Sequence, residues 1–266
     1  MSGTFRRAWN VYKEEGLVEL AQALVSHLRS RYYQLKGTRT LSIGHTRITM
    51  PIIGYRASWE IDFVQRTEHG VIEELLHELE PNDVFWDIGA NLGYYSCLVA
   101  AFNKSVYVVA FEPNPITVDM LKGNIELNKL PNVKVVDIAL SNSDCGAAFD
   151  LVDAHSSHGL AHLSNTKVNE TIEVKTATGD KLVEDGVAPR PNIVKIDVEG
   201  AEHLVIEGMK NILADCRVVF CEVHPNEIGK YGSSPEELEK TLNDLGFRLK
   251  RIQQRRNTHL KAYREE

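Results

Sequence analysis

With 266 residues, 43% of them hydrophobic and 25% charged, the chain can bury a full core and has an ordinary globular balance, which excludes a disordered or fibrous class. The net charge of −7 is unevenly spread: Lys and Arg outnumber Asp and Glu nine to three in residues 1–56 and seven to two in residues 248–266, while between them thirty-two acids face fourteen bases. An acidic core offers no basic groove to follow phosphates, so nucleic acid is excluded as the main substrate, and no apolar run approaches the roughly 18 residues of a membrane span.

Residues 5–36 predict an amphipathic helix. Val11, Leu17, Leu20, Ala21, Leu24, Val25 and Leu28 recur at three-to-four spacing against Glu14, Glu15, Glu19, Gln22 and His27, and Arg29, Arg31, Tyr32, Tyr33 and Lys36 follow. A basic, Tyr-bearing helix of this kind either lies on an anionic membrane surface or packs on its own domain or a second subunit. Charges at Arg6, Arg7, Lys13 and Glu14 interrupt any signal-like stretch. Cys97, Cys145, Cys216 and Cys221 show no CxxC spacing and read as reduced core or loop thiols. A cytoplasmic protein is the expectation, with this helix packed on its own domain or a second subunit and contact with a membrane as the alternative.

Residues 40–53 alternate as a hairpin with Gly44-His45 at its turn. Residues 58–80 predict a helix with Ile61, Val64, Val71, Ile72, Leu75, Leu76 and Leu79 on one side and a candidate break at Gly70. Strand and helix then alternate, with strands at 83–89, 105–112, 132–140, 192–198 and 216–223 and helices near 94–102, 115–128, 201–214 and 235–245. That order predicts a doubly wound, mostly parallel α/β sheet. Phe247–Gln253 and Asn257–Tyr263 add an antiparallel edge hairpin. An insertion at 141–190 holds short strands at 147–152 and 171–177 around a polar loop with His155, His158 and Gly159. The expected division is a helix and hairpin in 1–57 and the main domain in 58–266.

The first strand runs Asp83-Val-Phe-Trp-Asp87-Ile-Gly89-Ala90-Asn91-Leu-Gly93 into a helix, which places a nucleotide-like ligand at a strand's carboxyl end. A dinucleotide fold wants G-x-G-x-x-G to receive a pyrophosphate. Here an acid stands two residues before the first Gly, repelling a diphosphate and favouring a cationic methionine sulfonium or its ammonium group. Glu112-Pro113-Asn114 ends the second strand, where an acid holds a ribose diol, and Ala139-Leu140 ends the third, where an adenine is flanked.

The fourth and fifth strands carry charges where continuous Val, Ile and Leu are the norm. Lys195, Asp197 and Glu199 alternate onto one side, as do Glu222 and His224. Buried charges cost several kcal/mol unless paired or used. A Lys195–Asp197 pair that braces the sheet is one account; a reaction centre is the other. Asp197, Glu222 and His224 either deprotonate and position a substrate hydroxyl or hold a divalent metal.

The motifs D-x-G-A-N-x-G from Asp87, F-E-P ending at Pro113, K-I-D-V-E-G-A-E over Lys195–Glu202 and E-x-H over Glu222–His224 together resemble the FkbM-type methyltransferases, across about residues 58–250. The resemblance implies a Rossmann-like class I fold with a seven-stranded sheet, S-adenosylmethionine as cofactor, and methyl transfer to a hydroxyl or a uronic acid carboxylate of a sugar, glycan or small metabolite. It places Asp87, Gly89, Ala90, Asn91 and Gly93 along the methionine part and Glu112, Pro113 and Asn114 at the ribose. Lys195, Asp197, Glu222 and His224 form the expected catalytic set, with Glu199, His155 and His158 toward the acceptor. A divalent metal is possible but not expected. The rivals are a nicotinamide-dependent oxidoreductase, against which the missing glycine fingerprint speaks, and a non-catalytic protein of the same fold.

Overall fold

The computed structural model describes residues 32, 35–52, 61, 64–144, 146–150, 171–254 and 257–265. Residues 5–31 of the predicted N-terminal helix, and the loop carrying His155, His158 and Gly159, lie outside the described residues.

Strands β1 (Thr38–Ile43) and β2 (Thr46–Pro51) form the expected antiparallel hairpin, turning at Gly44 with φ +54°. Leu41, Ile43, Ile48 and Met50 of the hairpin are buried in the same core as Phe85, Leu98 and Val108 of the main sheet and its helix. Asn128 ties it there, accepting from Thr49 N at 2.7 Å and donating to Thr49 O at 2.8 Å. Helix α1 (His69–His77) follows; Gly70 lies inside it, and the helical path breaks instead at Glu68, its N-cap.

Strands β3 (Val84–Ile88), β4 (Tyr107–Phe111) and β5 (Val133–Val136) alternate with helices α2 (Tyr94–Phe102) and α3 (Pro115–Leu127). Pro115 at N1 and the Asn114 side chain, accepting from Ile116 N at 3.0 Å, start α3. The predicted third strand, 132–140, stops at Val136. Beyond exposed Asp137, β6 (Ala139–Leu140) leaves the main sheet. In the insertion, β7 (Ala147–Asp150) and β8 (Thr171–Val174) pair antiparallel, and β9 (Thr176–Ala177) pairs in parallel with β6. Helix α4 (Gly179–Glu184), absent from the sequence reading, is capped by Thr178, whose hydroxyl accepts from Lys181 N at 3.2 Å.

Strand β10 (Ile193–Ile196) leads to α5 (Glu202–Glu207) and α6 (Lys210–Leu213). The single helix predicted over 201–214 breaks at Gly208, where a Cβ would meet Ser141 O at 1.9 Å. Strand β11 (Val218–Val223), a 3-10 turn (Ile228–Tyr231), α7 (Pro235–Asp244), β12 (Arg248–Gln254) and β13 (Thr258–Tyr263) complete the chain.

The main sheet has the order β12-β13-β11-β10-β3-β4-β5, parallel from β11 to β5. Its β12–β13 hairpin is antiparallel, and β13, the later strand, sits inside it against β11. The class I α/β expectation holds. Side chains alternate between the two faces: Trp86, Val109, Val194 and Val219 pack in one core, Phe85, Val108, Ile193 and Val218 in the other. Asp87, Lys195 and Glu222 share the parity of the second set, so sheet geometry brings three charges onto the face beneath α2. Neighbouring strands β3 and β10 run off to opposite halves of the sheet, so a crevice opens at their carboxyl ends. Among the described residues Cys97, Cys216 and Cys221 are free and buried, and no helix is long and apolar enough to cross a membrane.

Candidate active site

At the β3 end of that crevice the chain turns through Gly89 (φ +76°), Asn91 (φ +50°) and Gly93 (φ +82°). Gly89 N and Ala90 N both donate to Phe111 O, at 3.1 and 2.9 Å, locking the turn to β4. A Cβ at Gly89 would stand 1.9 Å from Asp197 O, so only glycine lets the β3 and β10 walls of the crevice close there, and one at Gly93, with φ +82°, would stand 2.3 Å from Leu121 Cδ1 of α3. Asn91 keeps a left-handed backbone without being glycine, a local strain of the kind that gathers at ligand sites.

Asp87 lies below this turn rather than on its open face. Its carboxylate is fully buried; one oxygen accepts from Ser96 N at 2.9 Å and Ser96 Oγ at 2.6 Å, the other stands 3.6 Å from Lys195 Nζ. Helix α2 starts on Gly93, which has no side chain to cap it, and Asp87 supplies the missing acceptor from β3. Glu112, also buried, accepts from Asn91 N at 3.0 Å through one oxygen and from Asn114 N at 2.9 Å through the other. Each oxygen keeps a second lone pair. Burial pushes its carboxyl up to about 7, against the pull of those two N–H groups. Asn114 spends its side chain on the α3 cap, Pro113 is half-buried, Ala90 is buried, and Leu140 is buried in the core beside half-exposed Ala139.

At the other end β10 and β11 bring four acids around one imidazole. Lys195 Nζ lies 3.1 Å from Asp197 and 4.8 Å from the Tyr95 ring centroid. Burial disfavours its charge, but Asp197 and Asp87 outweigh this and hold the ammonium protonated well above its ordinary range. His224, nearly buried, has Nδ1 2.7 Å from Glu202 and Nε2 3.3 Å from Glu199, 3.8 Å from Asp197 and 3.8 Å from Glu222. Burial pulls its pKa down; the Glu202 bond, then Asp197 and Glu199, push it up further, to about 9. Burial and the neighbouring Asp197 also raise Glu222, which accepts from Asn257 at 2.8 Å. His259, 3.7 Å from Glu222, is driven the other way by burial, to about 4, and is neutral.

The structure thus gathers Lys195, Asp197, Glu199, Glu222 and His224 into one cluster beside the turn at Gly89. Glu202, Tyr95, Asn257 and His259 join it without having been singled out from the sequence. Glu202 stands in the motif without a local sign of burial; Tyr95 comes from α2, His259 from β13 and Asn257 from the turn before β13, and no local signal gives their positions. Asp197, Glu199 and His224 offer donor atoms within 4.8 Å of one another and, among the described residues, are the group that could hold a metal ion.

The Methyltransferase FkbM domain matches residues 87–249, which span both halves of this crevice. The chain belongs to the FkbM methyltransferase family. The hexuronic acid methyltransferase AglP of Haloferax volcanii is 33% identical over 204 residues, 73% of this chain and 78% of that protein. The 31-O-demethyl-FK506 methyltransferase FkbM of Streptomyces tacrolimicus is 29% identical over 190 residues, 59% of this chain and 68% of that one. The solved methyltransferase FkbM of Methylobacillus flagellatus KT shares 15% identity at a TM-score of 0.47, covering 79% of this chain and 54% of that one. As an FkbM-family enzyme, the protein is an S-adenosylmethionine-dependent methyltransferase. The crevice fits that donor: Glu112 has lone pairs for a diol, and the glycine turn removes side chains where a ligand approaches.

Proposed function

We propose that this FkbM-family enzyme transfers the methyl group to a hydroxyl oxygen of a sugar-acid unit, free or within a glycan. The observation that carries the hydroxyl is His224 Nε2, facing Asp197 and Glu199 at the crevice mouth beside the donor turn. Bound S-adenosylmethionine supplies a methyl on a cationic sulfur, so the acceptor oxygen gains the methyl and the sulfur keeps the bonding pair. The chain's task is to place that oxygen and take its proton. Glu112 holds the ribose diol, and Gly89, Asn91 and Gly93 shape the donor's path. Asp197, itself anchored by Lys195, accepts a hydrogen bond from the acceptor hydroxyl, and the proton passes to Nε2 in the neutral form of the His224 ring, so the rate should rise with pH toward about 9. The sugar-acid part rests on AglP, the relative at 33% identity. Its name favours a second reading, methylation of the uronic carboxylate itself, but that anion would enter beside Asp197 and Glu199.

No metal is needed in this scheme, because Lys195 already neutralises Asp197. Activity is expected to persist in excess chelator. The division at residue 57 and membrane contact by the preceding residues are proposed on sequence pattern alone.

The test is to incubate the enzyme with labelled S-adenosylmethionine and hexuronic-acid-bearing sugars and follow methyl incorporation by mass spectrometry. A product that survives mild alkali is an ether and supports the hydroxyl; one that mild alkali removes is an ester and turns the proposal to the carboxylate. Transfer to neutral sugars alone would overturn the sugar-acid assignment.

A further inference from the structure

Glu202 carries a buried carboxylate deep in the cluster. It is fully buried; Oε1 accepts from Gly200 N at 2.8 Å and lies 2.7 Å from Nδ1 of His224, and Oε2 is buried without a hydrogen-bond partner. An ionised carboxylate so placed costs several kcal/mol, and half-satisfied polar groups are what folds otherwise eliminate. A neutral side chain would brace the turn before α5 at less cost. The charge therefore asks for a use.

Its geometry supplies one. The Glu199–Gly200 turn is held in the left-handed region, with φ +54° at Glu199 and +108° at Gly200, and a Cβ on Gly200 would stand 2.7 Å from Glu227 Cβ. One oxygen of Glu202 grips both this turn and the imidazole. The turn carries the Glu199 carboxylate to 3.3 Å from Nε2, while the imidazole is fixed from its opposite nitrogen.

We propose that Glu202 is the positioning residue of the reaction: it holds His224 with Nδ1–H turned inward and Nε2 turned to the acceptor, and sets the Glu199 turn against the same ring. The proposal rests on the reading of His224 as the group that takes the acceptor's proton. When Nε2 of the neutral ring, the reactive form that grows as pH rises toward about 9, receives that proton, the ring becomes a cation with Glu202 directly behind it. The buried carboxylate is then best paired at the moment the methyl moves, the arrangement by which a carboxylate behind a histidine promotes proton transfer in other enzymes. The groups facing the ring are Glu202 from α5, Asp197 and Glu199 from the segment after β10, and Glu222 from β11; His259 of β13 and Lys195 of β10 act on it through Glu222 and Asp197.

The experiment compares the full chain with Glu202→Gln, which keeps the size and an acceptor oxygen but removes the charge. Binding of S-adenosylhomocysteine, measured by calorimetry, reports an intact donor site and is expected to change less than about twofold, whereas turnover falls by about tenfold or more. The inflection of the pH–rate profile moves to lower pH in the variant, because the imidazolium loses its partner. Independently of any acceptor, nuclear magnetic resonance of histidine-labelled wild type, with the ring assigned by a His224→Gln variant, should show Nδ1 carrying the proton in the neutral ring and titration above the ordinary imidazole range. An unchanged pH profile and turnover in Glu202→Gln overturn the proposal. So does a wild-type His224 that keeps its proton on Nε2 or titrates as a free imidazole, and this arm decides if the variant does not fold. Should no sugar acid accept a methyl while the resonance pattern is as expected, the acceptor assignment fails and the Glu202 contact stands.

Discussion

At the β3 end of the crevice, polar side chains mostly accept from the backbone and its caps: one oxygen of Asp87 holds the start of α2 while the other faces Lys195, and Glu112 takes two N–H groups from neighbouring turns. At the β10–β11 end, His224 and Lys195 are held mainly by carboxylates, at 2.7 to 3.8 Å, with the Tyr95 ring also beneath the Lys195 ammonium. The donor half is therefore a matter of conformation, fixed when the sheet forms. The acceptor half is a matter of charge, adjustable by one proton. Substitutions should divide accordingly, with the donor half failing through fold and binding and the acceptor half through rate.

The strongest break is expected at Gly89→Ala, where positive φ and a Cβ 1.9 Å from Asp197 O act together. It should lower stability by about 3 kcal/mol or more in denaturant titration and abolish binding of S-adenosylhomocysteine, since the turn must move to fold at all. Next comes Asp197→Ala, for which turnover should fall by about 10²–10⁴-fold with donor affinity nearly kept; single-turnover kinetics beside calorimetry separate the two. Loss of donor binding with an unchanged single-turnover rate would put Asp197 in the donor half.

A smaller effect belongs to Glu112→Gln, which should weaken donor binding by about tenfold, near the cost of a charge-assisted hydrogen bond. Because burial lifts Glu112 to about 7, wild-type affinity should decline as pH falls through that value and the variant should not show the step. Stability runs the opposite way. A raised acid pKa contributes stability present below the ordinary carboxylate value and lost as pH rises through about 7, so the variant should gain stability relative to wild type in alkali. The smallest effect is Asn128→Ala, which frees Thr49 of the hairpin and should cost about 1–2 kcal/mol with donor affinity unchanged. Were it to weaken the donor as well, the hairpin would count as part of that half.

Much of this frame was legible in the chain itself. The strands around the site announce themselves as short apolar runs, and β10 stands out because Lys195 interrupts one. What escaped was carried by distance. Asp87 reads as a ligand for a cation because nothing local says that Ser96, a turn later, will claim it. Nothing local marks Glu202 for burial, because that burial depends on β11 arriving with His224. The single helix over 201–214 breaks where the Ser141 backbone passes Gly208, and the third strand stops at Val136 because Ala139–Leu140 leaves the main sheet to pair with Thr176–Ala177 of the insertion. The preference of a segment for strand or helix is local, whereas where it must stop is set by what crosses it.

The position of β13 has a consequence in time. Lying between β11 and β12, it pairs with a strand some forty residues earlier, Val218 with Tyr263 and Glu222 with His259. Until it arrives, β11 is an open edge of apolar strand, and Glu222 lacks the amide of Asn257. The acidic cluster proposed as the reaction centre is thus among the last parts of the enzyme to come into being. A nascent chain halted after residue 246 would already own the donor turn, yet would present a sticky strand where its catalytic acids should stand, and its aggregation relative to the whole chain would measure how much that late strand protects.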